Sequence, residues 1–193
     1  PNMSARKHIA IIGGGPAGLI AADLLAPFHD VHVYEQGKSV GRKFLVAGQG
    51  GFNLTNSADG PDLTAVYSPR GFLDQALAEF GSGALRTWFM ELGIETYVGT
   101  SGRVFPKRGI KPIDVLNAVR TRLAERGVQV HLEHCFVGFD EHVNAIIEHD
   151  GERTSLAADF TLFAMGGASW SVTGSTGTWG SPREVKSELE LTT

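Results

Sequence analysis

A single cysteine, Cys135, rules out an internal disulfide and is compatible with a reducing compartment. No apolar run approaches the roughly 18–20 residues needed to span a membrane. The apolar stretch after Lys7 breaks at Gly13-Gly14-Gly15, where a signal peptide would continue. Basic residues are not in excess either: 17 Lys and Arg stand against 21 Asp and Glu, for a net charge of −4. That balance supplies no electrostatic footprint for nucleic acid or an anionic membrane. The densest basic stretch, Arg103, Lys107, Arg108 and Lys111, reads as a solvated surface, with help to an anionic ligand as the sharper alternative. Internal repeats and low-complexity tracts are absent. These exclusions lead us to expect a cytoplasmic protein with a small-molecule substrate and no nucleic-acid or membrane partner. Nothing in the pattern specifies an oligomeric state.

Chemistry-bearing constellations are also scarce. No Ser-His-Asp set or carboxylate pair stands out, so no catalytic residue is assigned. His131 and His134 lie close to Cys135, but the segment alternates like a strand, and three-residue spacing on a strand puts two side chains on opposite faces. We therefore expect no metal site there.

Glycine is what the sequence has in excess. Its 25 glycines cluster at 13–18, 41–51, 81–83 and 166–180, as expected of tight turns where backbone approaches backbone or ligand. The first cluster follows a β-branched run, Ile9 to Ile12, and precedes helical spacing through Leu19, Ala22 and Leu25 up to Pro27. "DVHVYE" then alternates as a second strand. A strand, a helix and a strand in so few residues make a βαβ unit and imply a parallel sheet.

Further on, Leu73, Ala76, Leu77 and Phe80 mark one amphipathic helix. Leu85, Trp88, Phe89 and Leu92 mark another that stops at Gly93. "ETYV" and "GRVFP" read as a strand pair, and Pro112 opens a third helix that ends at Gly127. "VQVHL" is a strand, and "HCFVGFD", "VNAIIEH" and "RTSL" form an antiparallel meander at about 134–157. "DFTLFAMGGAS" reads as a buried strand running into another glycine turn.

Gly13-x-Gly15-x-x-Gly18 sits between a strand and a helix, and Glu35 ends the next strand, the context in which this spacing signifies dinucleotide binding. Gly13 permits the turn, Gly15 admits a pyrophosphate to the backbone, and Gly18 lets the helix pack on the strand. Pro16 and Ala17 open the helix, whose N-terminal N–H groups face the phosphates. Glu35, followed by Gln36, can accept hydrogen bonds from ribose hydroxyls.

A nicotinamide-binding domain continues with regular strand–helix alternation. This chain inserts "GRKFLVAGQGGFNLTNS", two helices, a strand pair and a meander instead. That order resembles the two-dinucleotide-binding flavoproteins of the glutathione reductase type, whose second signature "TLFAMGGAS" fits with Met165 in place of a threonine. More narrowly, "GRKFLVAGQGGFNLTNS", "SGRVFP" and "FAMGGASW…GSTG", in that order over nearly all of residues 7 to 180, resemble a family of bacterial NAD(P)/FAD-dependent oxidoreductases related to aminoacetone oxidases.

The resemblance implies an α/β fold: a Rossmann-like FAD-binding domain with a parallel sheet, an antiparallel meander insertion and a helical segment. It would occupy residues 1–170, with 171–193 the start of a missing substrate domain or an irregular tail. The resemblance further implies FAD as cofactor, with NAD(P)H as a candidate reductant. The 41–57 loop would lie along the cofactor, with Arg42 and Lys43 near phosphate and Gly50 in backbone contact. An exposed ion pair is the alternative for the two cations. Asn53 and Thr55 would bond the cofactor or cap turns. Phe136, Ala164, Gly166 and Gly167 complete the implied cofactor set. Many members of the family it resembles carry Arg-Cys just before the asparagine where this chain has Gly51-Phe52, which disfavours a disulfide relay. Three readings follow: an FAD-dependent oxidoreductase of unknown substrate, a catalytically silent FAD- or ADP-binding fragment, and a flavoprotein acting on tRNA.

Overall fold

The computed structural model describes residues 5–46 and 52–167. Its first sheet is built from strands β1 (His8–Ile12), β2 (Asp30–Glu35), β6 (Gln129–Leu132) and β10 (Phe160–Phe163) in the order β10-β1-β2-β6, every pair parallel. Helix α1 (Pro16–Leu25) makes the β1–β2 crossover that parallel neighbours require. β1 has strands on both sides and layers on both faces, so Ile9, Ala10, Ile11 and Ile12 are all buried. Val31 and Val33 continue this apolar interior on β2.

The other face of the parallel sheet carries the meander β7 (Cys135–Phe139), β8 (Ala145–His149) and β9 (Glu152–Ser155). Ala10, Ile12 and Tyr34 pack with Ala145, Ile147 and Leu156, flanked by Phe136, Ala158 and Met165. The β8–β9 turn uses Asp150 and Gly151 with φ of +50° and +80°, the paired positive dihedrals that suit a right-twisted hairpin. At the β7–β8 turn, Asp140 Oδ1 accepts from His142 N at 2.9 Å and Asn144 N at 2.8 Å, and Oδ2 accepts from Asn144 Nδ2 at 2.9 Å.

Two compact units divide the described residues: 5–43 with 123–167, and 44–46 with 52–122. In the second, β3 (Thr55–Asn56), β5 (Arg103–Pro106) and β4 (Thr96–Val98) form an antiparallel sheet in the order β3-β5-β4. It also holds α3 (Gly60–Thr64), α4 (Asp74–Glu79) and α5 (Ser82–Glu91), with Leu63, Trp88, Phe89 and Val104 buried. α2 (Arg42–Val46) and α6 (Pro112–Glu125) run across the boundary between the units. α6 buries Val115, Leu116, Val119 and Leu123, the stripe expected of 3.6-residue periodicity. Gly93 and Gly127, each at φ +76°, follow α5 and α6, as left-handed stop residues do.

Two expectations need correction. β10 is not a buried strand: Phe160 is 63% exposed and Phe163 42%, because β10 has a strand partner only in β1 among the described residues. Nor do His131 and His134 diverge. β6 ends at Leu132 and Glu133 turns through φ +59°, so the alternation is broken and the two rings lie 5.4 Å apart. Burial, then the neighbouring His32, His134 and His8, hold His131 below the usual histidine range.

Asp23 on α1 is buried and pairs with Arg126 at 2.9 Å, and Arg126 Nη1 also donates to Asp23 O at 2.6 Å. Arg126→Ala withdraws the guanidinium from a buried carboxylate and is expected to cost about 2–3 kcal/mol of unfolding free energy, read by denaturant titration. The bonds at the β7–β8 turn, that from the Asn144 side chain foremost, lower Asp140 from 3.8 to about 2. Since the folded form holds its proton less tightly than the unfolded form, this contribution is present above pH ~4 and disappears as pH falls toward about 2. Asp140→Asn should therefore melt below the parent protein at pH 6, with the gap closing by pH 2.

Candidate dinucleotide site

The carboxyl ends of β1, β2, β6 and β10 converge on one edge of the parallel sheet. β2 lies on one side of β1 and β10 on the other, so the chain reverses its direction of travel across the sheet at β1. Ligands of open parallel sheets bind in the crevice at such a point.

Gly13 leaves β1 at φ +111°, and its N–H donates to Tyr34 O at 2.8 Å. A side chain there would meet Ala164 O at 2.5 Å, so the turn closes directly on the end of β10. Ala164 N in turn donates to Ile12 O at 2.8 Å. A methyl on Gly18 would lie 2.0 Å from Gly13 O, which lets α1 cross β1 closer than any other residue would allow. Gly15 differs from both. It caps α1 in extended geometry with no side-chain capping bond, and nothing lies within 4 Å of where its Cβ would be. Pro16 and Ala17 beside it are exposed. The start of α1 at Pro16 and Ala17 is thus exposed and carries the partial positive charge of a helix N-terminus.

Glu35 ends β2, and both its oxygens are engaged: Oε2 accepts from Gly14 N at 2.8 Å and Oε1 from Gly37 N at 2.7 Å. Each carboxylate oxygen retains a further lone pair, so the anion is fixed in place and still able to accept. The chain after β6 closes the far side, with His134 N donating to Glu35 O at 3.0 Å and Glu133 N to Gly37 O at 3.1 Å. Arg42 lies over Gly37, where a methyl would sit 3.3 Å from its Cδ and 3.4 Å from Nη1.

The fold thus brings Gly13, Gly15, Pro16, Ala17, Gly18, Glu35 and Ala164 together and adds Arg42 beside Glu35. Gln36 is exposed next to Glu35, Lys43 ends this unit's first segment, and Gly166 (φ +72°) and Gly167 follow Ala164. Phe136 lies elsewhere. Its ring packs edge-on against Phe139 and Phe163, with both centroids 5.2 Å away, within the meander core. Asn53 and Thr55 belong to the second unit, where Asn53 is exposed and Thr55 Oγ1 meets Ser82 Oγ at 3.0 Å. Ser82 also donates to Asn56 O. Gly50 and residues 171–193 lie outside the described residues.

The motif spacing overlooked Gly14, Val40 and Gly41. Gly14 carries the bond to Glu35, a Cβ on it would strike Val40 Cγ1 at 2.6 Å, and its carbonyl accepts from Gly41 N at 2.8 Å. The run of three glycines and the Gly41 that opens the 41–57 loop were the available signals. Burial, then Glu148 and Glu35, push the Cys135 thiol above its ordinary value, which favours the thiol over the thiolate.

A glycine turn closed against two parallel strands, an uncapped helix N-terminus and a fixed carboxylate at the end of β2 define a dinucleotide-binding Rossmann domain. The chain belongs to the HI0933-like protein Rossmann domain family, which it matches over residues 7–189. This is a family of FAD-binding oxidoreductases. The chain is 31% identical, over 89% of its length, to the 3-dehydro-bile acid delta(4,6)-reductase of Clostridium scindens. It is 34% identical, over 58% of its length, to the ribosomal RNA dihydrouridine synthase of Haemophilus influenzae. It spans 42% and 28% of those two proteins. Among solved structures, the 3-ketosteroid-delta4-(5alpha)-dehydrogenase of Rhodococcus jostii superposes with a TM-score of 0.61 at 14% identity, over 84% of this chain and 46% of that one, a likeness of fold.

The two glycines have separable roles. Gly18→Ala forces a backbone collision and is expected to lower stability by at least about 1–3 kcal/mol. Gly15→Ala points into open space and is expected to stay within about 0.5 kcal/mol of the parent. Denaturant titration of the two variants checks both.

Proposed function

We propose that this chain binds FAD at the glycine turn and serves as the cofactor-binding part of an oxidoreductase that reduces a carbon–carbon double bond conjugated with a carbonyl. The observation that carries the proposal is the open, uncapped N-terminus of α1 at Gly15, set beside a Glu35 carboxylate that two backbone amides hold in place. The amides of Ala17 and Gly18 bind the pyrophosphate, and Gly15 keeps its approach clear. Glu35 accepts from the ribose hydroxyls, and its charge disfavours a 2′-phosphate there. Arg42 and Lys43 lend positive charge, and the turn at Ala164, Gly166 and Gly167 borders the cofactor from the β10 side. Gln36, exposed next to Glu35, flanks the adenosine half. Bound FAD supplies the hydride and electron transfer.

The reaction class rests on the relatives' names, since a delta(4,6)-reductase and a dihydrouridine synthase both saturate a carbon–carbon double bond. NAD(P)H is the proposed reductant, and a small molecule in the cytoplasm the proposed substrate. Among the described residues no helix is long and apolar enough to cross a membrane. A second reading, action on RNA, is favoured by the dihydrouridine synthase match and opposed by the net charge of −4.

The purified chain is expected to be yellow and to release FAD, identified by mass. Glu35→Ala and Gly15→Ala are each expected to weaken FAD binding at least about 10-fold, the loss of one or two charge-assisted hydrogen bonds or of clearance at the phosphate. Bleaching by NADH or NADPH tests the reductant. A colourless chain that takes up no added FAD overturns the assignment. Bound FAD without bleaching or turnover identifies a catalytically silent binding unit, and RNA carried through purification favours the second reading.

A further inference from the structure

Five of the seven histidines form a continuous run in the first unit: His8, His32, His131, His134 and His149. The run begins on the meander-facing side of the parallel sheet. Register pairs His8 with Asp30 and Ala10 with His32, so side chains alternating along β1 and β2 place His8, Asp30 and His32 on one face. Ala10 opposite His32 contributes only a methyl, and the His8 and His32 rings meet edge-on with centroids 4.6 Å apart.

We infer that His8, His32 and Asp30 form a binding site for a divalent transition-metal cation of the zinc type. One ligand atom from each lies within 4.8 Å of the others. His32 Nε2 stands 3.5 Å from Asp30 Oδ2, close to the ~3.4 Å edge of a tetrahedron built from zinc–ligand bonds of about 2.0–2.1 Å.

The tautomer of His8 is set for the task. Its Nδ1 lies 2.9 Å from Ala157 O, a carbonyl that can only accept, so Nδ1 carries the proton and Nε2 presents a lone pair. That Nε2 is buried and has no hydrogen-bond partner among the described residues. A backbone carbonyl fixing one ring nitrogen while the other faces a metal is the usual support of a histidine ligand. The same segment holds the His8 backbone, since Asp159 Oδ2 accepts from His8 N at 2.8 Å. On the other ring, His32 Nδ1 lies 3.0 Å from His131 Nε2, so a proton on His32 Nδ1 leaves Nε2 free to ligate beside Asp30. Asp30 is half exposed, which gives the cation an entry path and a solvent position.

Two imidazoles and one carboxylate select zinc, cobalt, nickel or copper over magnesium and calcium. All three ligands precede the carboxyl ends of β1 and β2, and none belongs to the glycine turn. The inference therefore does not depend on the FAD assignment.

The test uses the full chain, produced without a polyhistidine tag, stripped with a chelator and titrated with Zn²⁺ against a chromophoric competitor. One equivalent is expected to bind saturably, and Co²⁺ is expected to give the visible bands of a tetrahedral nitrogen–oxygen site. Asp30→Asn and His8→Gln should each weaken Zn²⁺ binding at least about 10-fold, whereas His142→Gln, in an exposed turn, leaves it unchanged. Circular dichroism monitors folding. Asp30→Asn is the decisive variant, because a half-exposed side chain changes without disturbing the core. Zn²⁺ should also raise the melting temperature of the parent but not of Asp30→Asn. Absence of saturable binding overturns the inference, as does a folded Asp30→Asn that binds Zn²⁺ as tightly as the parent.

Discussion

The approach of α1 to β1 is the constraint from which the rest of the first unit follows. Gly13 O occupies the place of a Gly18 side chain, and Ala164 O that of a Gly13 side chain. Three backbones meet at one point with no side chain between them. That contact lets β1 take strands on both sides, leaves the first turn of α1 uncapped, and brings the carboxyl ends of β1, β2 and β10 to one rim. A methyl group at either glycine would separate the layers and move the helix terminus away from that rim.

Glu35 extends this arrangement from packing to electrostatics. An anion close to the positive end of a helix is favourable without a ligand, and the amides of Gly14 and Gly37 hold the carboxylate to one orientation. The residue therefore stabilises the turn and shapes the adjacent surface at the same time. Gly14 does the same from the other side, holding Glu35 through its N–H and Gly41 through its carbonyl. Sheet order follows from similar economy. The long excursion between β2 and β6 returns beside β2, and the meander returns the chain beside β1, so the parallel order β10-β1-β2-β6 is uninterrupted.

The histidine run shows polar groups accommodated between layers where a fully apolar interface would be expected. Tyr34 lies in the apolar cluster beneath the meander and also stacks on His131 with centroids 4.6 Å apart. It joins the apolar part of that interface to the imidazole part, and burial, then Asp30, raises its phenol above the ordinary value. The meander is thus both a lid on the sheet's apolar face and a neighbour of its titratable residues.

Local signals were enough for the elements and for half of the site. A continuous β-branched run marked β1, which is buried on both faces, while period-2 and period-3.6 patterns marked α1, β2, α5, α6 and the meander, because each of those has one face against a core. The Gly13–Gly18 spacing with Glu35 marked the turn, because only glycine tolerates those contacts. The 41–57 loop, by contrast, carries no periodicity, and its residues divide between the two units. The burial of β10 depends on what lies beside it in the sheet, which no local pattern encodes. Phe136 carried a cofactor role by resemblance, yet its side chain lies in the meander core. Spacing on a strand separated His131 from His134, whereas a positive φ at Glu133 brought their rings together. The grouping of His8, Asp30 and His32 came only from the parallel register of β1 with β2. What the sequence determined by itself was therefore whatever depends on a residue and its near neighbours along the chain: turn, helix, strand and the family. Tertiary structure alone decided which side chains from distant segments share a face, because that depends on register and layer order.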